Sequence, residues 1–165
     1  MITTRIMAAA FLTCNDKVLM LKRGLHKKLG PGLWAGIGGH MELDDITNPR
    51  ELTLIETCYR EVLEETGICR SDIHNLKLKY ITVKKDPSEV RLHYNFMGEL
   101  KTEIPLPKCD EGELHWICKN DILALPMSNT VRETVKHWLL ADNPCDDVYI
   151  VAVNKAGDAA TICEL

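Results

Sequence analysis

The sequence contains no CxxC pair and no two histidines at metal-ligand spacing, although it carries seven cysteines and six histidines. A structural zinc site therefore has no signature here. The cysteines are odd in number and scattered at positions 14, 58, 69, 109, 118, 145 and 163. That pattern fits reduced, mostly buried thiols in a cytoplasmic protein better than a disulfide framework. A basic run is also missing. The net charge of −4 argues against a nucleic-acid polymer as partner. Only Lys22, Arg23, Lys27 and Lys28 form a loose cluster, readable as a solvated loop or as a phosphate-steering patch. No apolar run approaches the roughly 18 residues of a membrane span. Arg5 followed by Ile6–Leu12 and Cys14 is too short and too weakly charged for a leader, and a buried strand explains it better. There is no repeat, low-complexity segment or linker.

What is present is ordinary in bulk: 165 residues, 45% hydrophobic and 27% charged, enough for one domain over 1–165 with a sizeable core. Residues 5–14 and 17–22 read as a hairpin about Asn15-Asp16. A Gly-, Pro- and Lys-rich loop leads to Trp34–Ile37 and the pair Gly38-Gly39. Paired glycines after a strand permit a sharp turn and close approach of backbone to a ligand. Strands follow at 76–84, 90–100 and 113–118, a short helix at 120–125, and a helix at 128–140 capped by Ser128. A tail hairpin occupies about 147–165. The order is α+β.

The informative stretch lies between. Asn48-Pro49 with Glu51 is a helix start, and Gly67 supplies a left-handed stop, so the pattern predicts a helix over about 49–66. Its expected core face is Leu52, Ile55, Tyr59, Val62, Leu63 and Thr66. Glu61, Glu64 and Glu65 fall together on the other side. A solvated acidic face is the plain reading. These acids sit near a helix C-terminus, however, where the macrodipole disfavours negative charge, and carboxylates suit a hard cation such as Mg²⁺. The placement favours a metal site.

The segments GGHME and REVLEETGI resemble the Nudix (MutT-like) hydrolase box. Arg60, Glu61, Val62, Glu64, Glu65, Gly67 and Ile68 match the second half of that pattern. The first half departs from it. Counted from Gly39, the pattern places its arginine at position 53, where Thr53 stands, so seven residues are in excess. The first Glu of the pattern falls on Asp45 or Leu52. An insertion around Asp44–Arg50 accounts for this, since loops tolerate added length. Glu42, Asp44, Asp45, Glu51 or Glu56 could replace the missing acid, and Glu56 lies one turn before Arg60.

The resemblance covers most of residues 5–140 and leaves the tail hairpin uncovered. It implies a Nudix-like α/β/α sandwich with a mixed β-sheet. It also implies hydrolysis of a diphosphate linked to a nucleoside, in a nucleoside triphosphate, an oxidised nucleotide or a nucleotide sugar, with Mg²⁺ or Mn²⁺. Carried over, Glu61, Glu64, Glu65 and the carbonyl near Gly39 hold the metal, and Arg60 orients a carboxylate. The base is one of Glu61, Glu64, Glu111 and Glu113. Arg23 is a candidate phosphate clamp, and Trp34 and Trp116 are candidates to stack a base or else core aromatics. His40 sits beside the glycines. Glu111 and Glu113 are placed with the substrate or at a solvated strand edge. The expected partner is a nucleotide-like small molecule, with a homodimer left open. The alternatives are a non-catalytic Nudix module that senses a nucleotide, and an acidic helix in an unrelated α+β fold.

Overall fold

A computed structural model describes residues 2–42, 53–141, 147–153 and 160–165. The strands are β1 (Thr3–Cys14), β2 (Lys17–Arg23), β3 (Trp34–Ala35), β4 (Ile37–His40), β5 (Ile73–Lys85), β6 (Glu89–Leu100), β7 (Gly112–Cys118), β8 (Tyr149–Val153) and β9 (Ala160–Glu164). The helices are α1 (Thr53–Thr66) and α2 (Asn129–Leu140). The short helix expected at 120–125 is a 3₁₀ turn, Ile122–Ala124. The proposed start of α1 at Asn48, Pro49 and Glu51, and the insertion at Asp44–Arg50, lie outside the described residues.

The strands form one mixed sheet in the order β3-β2-β1-β6-β5-β8-β9, with β4 on β1 and β7 on β2. β1 runs parallel to β6, and β5 runs parallel to β8; the other pairs are antiparallel. The β1–β2 hairpin turns at Asn15, which adopts the left-handed conformation that asparagine tolerates. The expected tail hairpin forms as β8–β9 and joins the sheet through β5.

Side chains alternate along each strand, so the sheet has two buried faces. Ala8, Ala10, Leu12, Leu19, Leu21 and Phe96 pack on one face with Cys58 and Val62 of α1. Phe11, Val18, Met20, Tyr80, Met97 and Val151 pack on the other with Val135 of α2. The result is the α/β/α sandwich.

One irregularity positions the site. β1 pairs with β2 only over Leu12–Cys14 and then with β4 over Met7–Ala10. β2 correspondingly leaves β1 and takes β3 at Leu21 and Lys22. The hairpin therefore splays, and Trp34–His40 fills the fork. Small residues are required there. A Cβ at Gly36 would lie 2.7 Å from the Ala10 carbonyl oxygen, and one at Gly38 would lie 2.1 Å from that of Ala8.

Both helix ends follow their sequence signals. Ser128 accepts from the Val131 N–H at 3.4 Å and caps α2. Gly67 takes φ +73° and donates to the Leu63 carbonyl at 2.9 Å, ending α1, while Ile68 is buried behind it. The core face of α1 needs correction. Leu63 is 50% exposed, whereas Thr57, Cys58, Val62, Glu65 and Thr66 are buried. The inward stripe is Cys58, Val62 and Glu65, at i, i+4 and i+7, so one of the three acids shares the core side of the helix.

Candidate active site

The inward stripe of α1 meets β4 at its two glycines. The Glu61 carboxylate lies against Gly39 so closely that a Cβ there would be 2.5 Å from it. The Gly38 backbone N–H donates to Glu65. Arg60 locks this junction. Its Nη1 donates to Glu61 Oε1 at 3.0 Å and to Glu64 Oε2 at 3.1 Å, and its Nη2 donates to the His40 carbonyl at 3.0 Å. One guanidinium thus orients two carboxylates and ties helix to strand, a fork geometry that lysine cannot supply.

The three acids occupy different environments. Glu64 is 58% exposed at its side chain. Burial raises the Glu61 carboxyl above its ordinary value, Arg60 opposes the rise, and Glu64 and Glu42 add to it. Glu65 is 7% exposed. Burial pushes its carboxyl up to about 8, with the charges of Glu61 and Glu111 acting in the same direction and the Gly38 N–H and Arg23 against it. Its Oε2 is buried and has no hydrogen-bond partner among the described residues. Such an orphaned acceptor costs about 1–3 kcal/mol, and more when charged.

These features test the fit of a divalent cation. Among the described residues, no three His, Cys, Asp or Glu side chains already converge as a cation-holding group. Arg60 draws Glu61 and Glu64 toward itself instead. The donor chemistry nevertheless suits a hard cation: carboxylate oxygens one helical turn apart, one of them buried without a partner among the described residues, beside the glycines of β4. The residues fit the group.

A cleft of about 360 Å³ opens on the α2 side of the sheet. Arg23, Trp34, Gly38 and His40 line it, so it meets the acidic turn at β4. Ala9 and Phe11 of β1 also line it. The rim is organised. Arg23 Nε donates to the Leu29 carbonyl at 2.9 Å, and Lys27 pairs with Glu111 at 2.6 Å.

The predicted residues therefore separate. Arg60, Glu61, Glu64, Glu65 and Gly39 come together, Arg23 and Trp34 line the cleft, and Glu111 lies near enough to influence Glu65. Glu113 is an exposed residue of β7 beside His115 and does not line the cleft. Trp116 packs with the α1-side core and donates to the Ile104 carbonyl at 3.3 Å. Glu56 bonds Arg70 at 2.6 Å. Sequence reasoning passed over Thr82, Lys84, Arg91, His93, Asn95 and Thr134, which line the cleft from β5, β6 and α2. The available signal was the pair His93 and Asn95 set among apolar residues of one strand.

The NUDIX domain family model matches residues 3–139, and the chain belongs to the Nudix family. A Bacillus subtilis (strain 168) protein described as uncharacterized Nudix hydrolase YvcI is 30% identical over 122 residues, covering 71% of this chain and 68% of the relative. Two solved structures share the fold. The mutator MutT protein of Bacillus halodurans superposes with TM-score 0.67 at 24% identity, covering 96% of this chain and 97% of its own. A Nudix hydrolase from Nitrosomonas europaea gives TM-score 0.71 at 18% identity, covering 93% and 80%. Membership supports Nudix-type hydrolase activity on a nucleotide-like substrate in general terms. No described helix is long and apolar enough to cross a membrane.

Proposed function

We propose that the chain is a metal-dependent hydrolase that cleaves the diphosphate linkage of a nucleoside diphosphate derivative: a nucleoside triphosphate, an oxidised nucleotide or a nucleotide sugar. The observation that carries this reading is the Glu61–Glu65 pair wedged against Gly38-Gly39 at the end of the cleft, with Glu65 Oε2 buried and unpartnered among the described residues. Glu61, Glu64, Glu65 and the Gly39 carbonyl would hold Mg²⁺ or Mn²⁺. When bound, the cation supplies neutralisation of diphosphate oxygens and a more acidic water.

The chain's own residues do the rest. Arg60 fixes the angle of Glu61 and Glu64. Arg23, at the rim, faces the diphosphate, and the cleft between Trp34 and α2 holds the nucleoside. A carboxylate among Glu61, Glu64 and Glu111 takes the proton of the attacking water. A cytoplasmic location is consistent with the six described cysteines, all free thiols.

The test is a panel of nucleotide diphosphate derivatives with Mg²⁺, read by released phosphate or pyrophosphate. Glu64→Gln and Glu65→Gln should lower turnover by orders of magnitude with the fold retained. Binding without turnover across the panel would instead favour a nucleotide-sensing module.

A further inference from the structure

The geometry points to a base-reading floor in the cleft, built by Asn95 and Thr82, that accepts the lactam edge of an oxo-base (an N–H beside a C=O) in preference to the corresponding amino-base edge. This rests on the nucleotide reading above and specifies which bases the cleft takes.

The floor lies on neighbouring strands. Register pairs Thr82 of β5 with His93 of β6, with Asn95 two residues further along the same face. Asn95 is 9% exposed and Thr82 is 5% exposed, yet both line the cleft. Burying polar side chains is costly unless they are hydrogen-bonded. The bonds they do make fix their orientation. Asn95 Nδ2 donates to Thr82 Oγ1 at 3.3 Å and to the His93 carbonyl at 3.4 Å. A backbone carbonyl can only accept, so the amide must present its NH₂ to it. Both amide protons are thereby committed within the protein. Asn95 Oδ1 is left as an acceptor with no partner among the described residues. Thr82 spends a lone pair on Asn95 and keeps its hydroxyl proton to donate. An acceptor and a donor therefore stand side by side, the complement of an N–H next to an acceptor atom.

Adenine-like and lactam edges both offer a donor beside an acceptor, so a second observation decides between them. Lys84, Arg91 and His93 continue this face outward, and His40 lies in the same row as His93, with Met7 of β1 between them. His93 is held neutral, its pKa lowered to about 4 by burial and then by the charges of Arg91, His40 and Lys84. Arg91 is partly offset by Glu89 and Asp86; Lys84 adds to the positive field. A positive potential over the floor favours a carbonyl oxygen there and disfavours an exocyclic amine.

Inosine triphosphate and adenosine triphosphate differ only at this edge, and uridine and cytidine triphosphates differ at the equivalent one. With Mg²⁺, the oxo member of each pair should bind, and be turned over, about tenfold better by Kd and kcat/KM, because Asn95 and Thr82 hold the edge under a positive field that favours its carbonyl oxygen over an exocyclic amine. In Asn95→Leu and in Thr82→Val the ratio should fall to within about twofold, with melting curves reporting the fold. Thr82→Val is nearly isosteric and carries the test should Asn95→Leu fail to fold. A wild-type ratio near one, a ratio that survives in the folded variants, or no binding of any of the four nucleotides overturns the proposal. Hydrolysis without preference overturns the floor alone. Preference in binding without hydrolysis overturns the hydrolase reading alone.

Discussion

Replacing Gly39 by alanine separates the geometry of the acidic turn from the stability of the fold. The new Cβ would stand 2.5 Å from Cδ, Oε1 and Oε2 of Glu61, and ordinary contact begins at 3.4 Å, so the carboxylate must retreat by about 0.9 Å. Glu61 Oε1 is 3.0 Å from Arg60 Nη1. A retreat of that size takes the pair out of hydrogen-bond range or pulls Arg60 off the His40 carbonyl. Glu61 is the far end of a flexible side chain, so the chain yields locally. The stability cost is at most one charged hydrogen bond, about 1.5–3 kcal/mol, or roughly 2–4 °C of melting temperature per kcal/mol for a chain of this size. A misplacement near 1 Å at a reacting centre costs about 100-fold in rate. The expected outcome is a folded protein with Mn²⁺ affinity clearly weakened in calorimetry and turnover lowered by about two orders of magnitude. Gly38→Ala is the contrasting control. Its Cβ meets the Ala8 backbone oxygen at 2.1 Å, which cannot swing aside, so that variant loses the fold rather than only the site. A folded Gly39→Ala protein with unaltered Mn²⁺ affinity and turnover would refute the packing of Glu61 on Gly39 as the reason for glycine.

Two further perturbations test other parts of the structure. In EDTA, Glu65 titrates near 8 when folded and near 4.3 when unfolded, so the folded state binds the extra proton and stability falls as pH rises through that window. At about 1.4 kcal/mol per pKa unit the decline reaches a few kcal/mol. Urea denaturation at about pH 5.5 and about pH 8 should show it in the wild type and lose it in Glu65→Gln; parallel profiles would sink the assignment. Ser128→Ala removes the α2 cap and should cost about 1 kcal/mol, or roughly 2–4 °C, while leaving Mn²⁺ affinity unchanged.

The architecture was legible where local physics decides it. Apolar runs bounded by turn residues placed most of the strands, Ser128 and Gly67 placed helix ends, and the tail hairpin was visible from its own pattern. The face of α1 was legible at Ile55, Tyr59, Val62 and Thr66 but not at Leu63 and Glu65, because neighbouring positions on a helix differ by 100° and composition cannot choose between them at the edge of the face. Leu63 looked more core-like than Glu65, yet Glu65 turns inward to meet Gly38, and the tertiary contact overrides hydropathy. The acidic turn was legible because its residues are adjacent in sequence. The cleft was not. Thr82, Asn95 and Thr134 come from three elements, and only the antiparallel β5–β6 pairing and the packing of α2 bring them to one surface. Arg60 was read as orienting one carboxylate; that it also grips the His40 carbonyl follows from the fork between β1 and β2.

The family match ends at residue 139, but the sheet does not. Tyr80–Val83 of β5 pair with Tyr149–Ala152 of β8, and Tyr80 stacks on Tyr149 at 5.6 Å while its hydroxyl meets His137 Nδ1 at 2.8 Å. Thr82 is on this same stretch. Mechanically, the tail is a splint laid along the strand that floors the cleft and packed against α2, with the Tyr149 ring 4.6 Å from that of His137 and Ile162 in the same apolar cluster as Trp138 and Leu139. Trimming the chain to the family boundary would leave β5 as a raw edge, with its peptide groups unpaired and the Tyr80 ring stripped of its stacking partner. The hairpin outside the family pattern thus sets how stiffly the cleft floor is held.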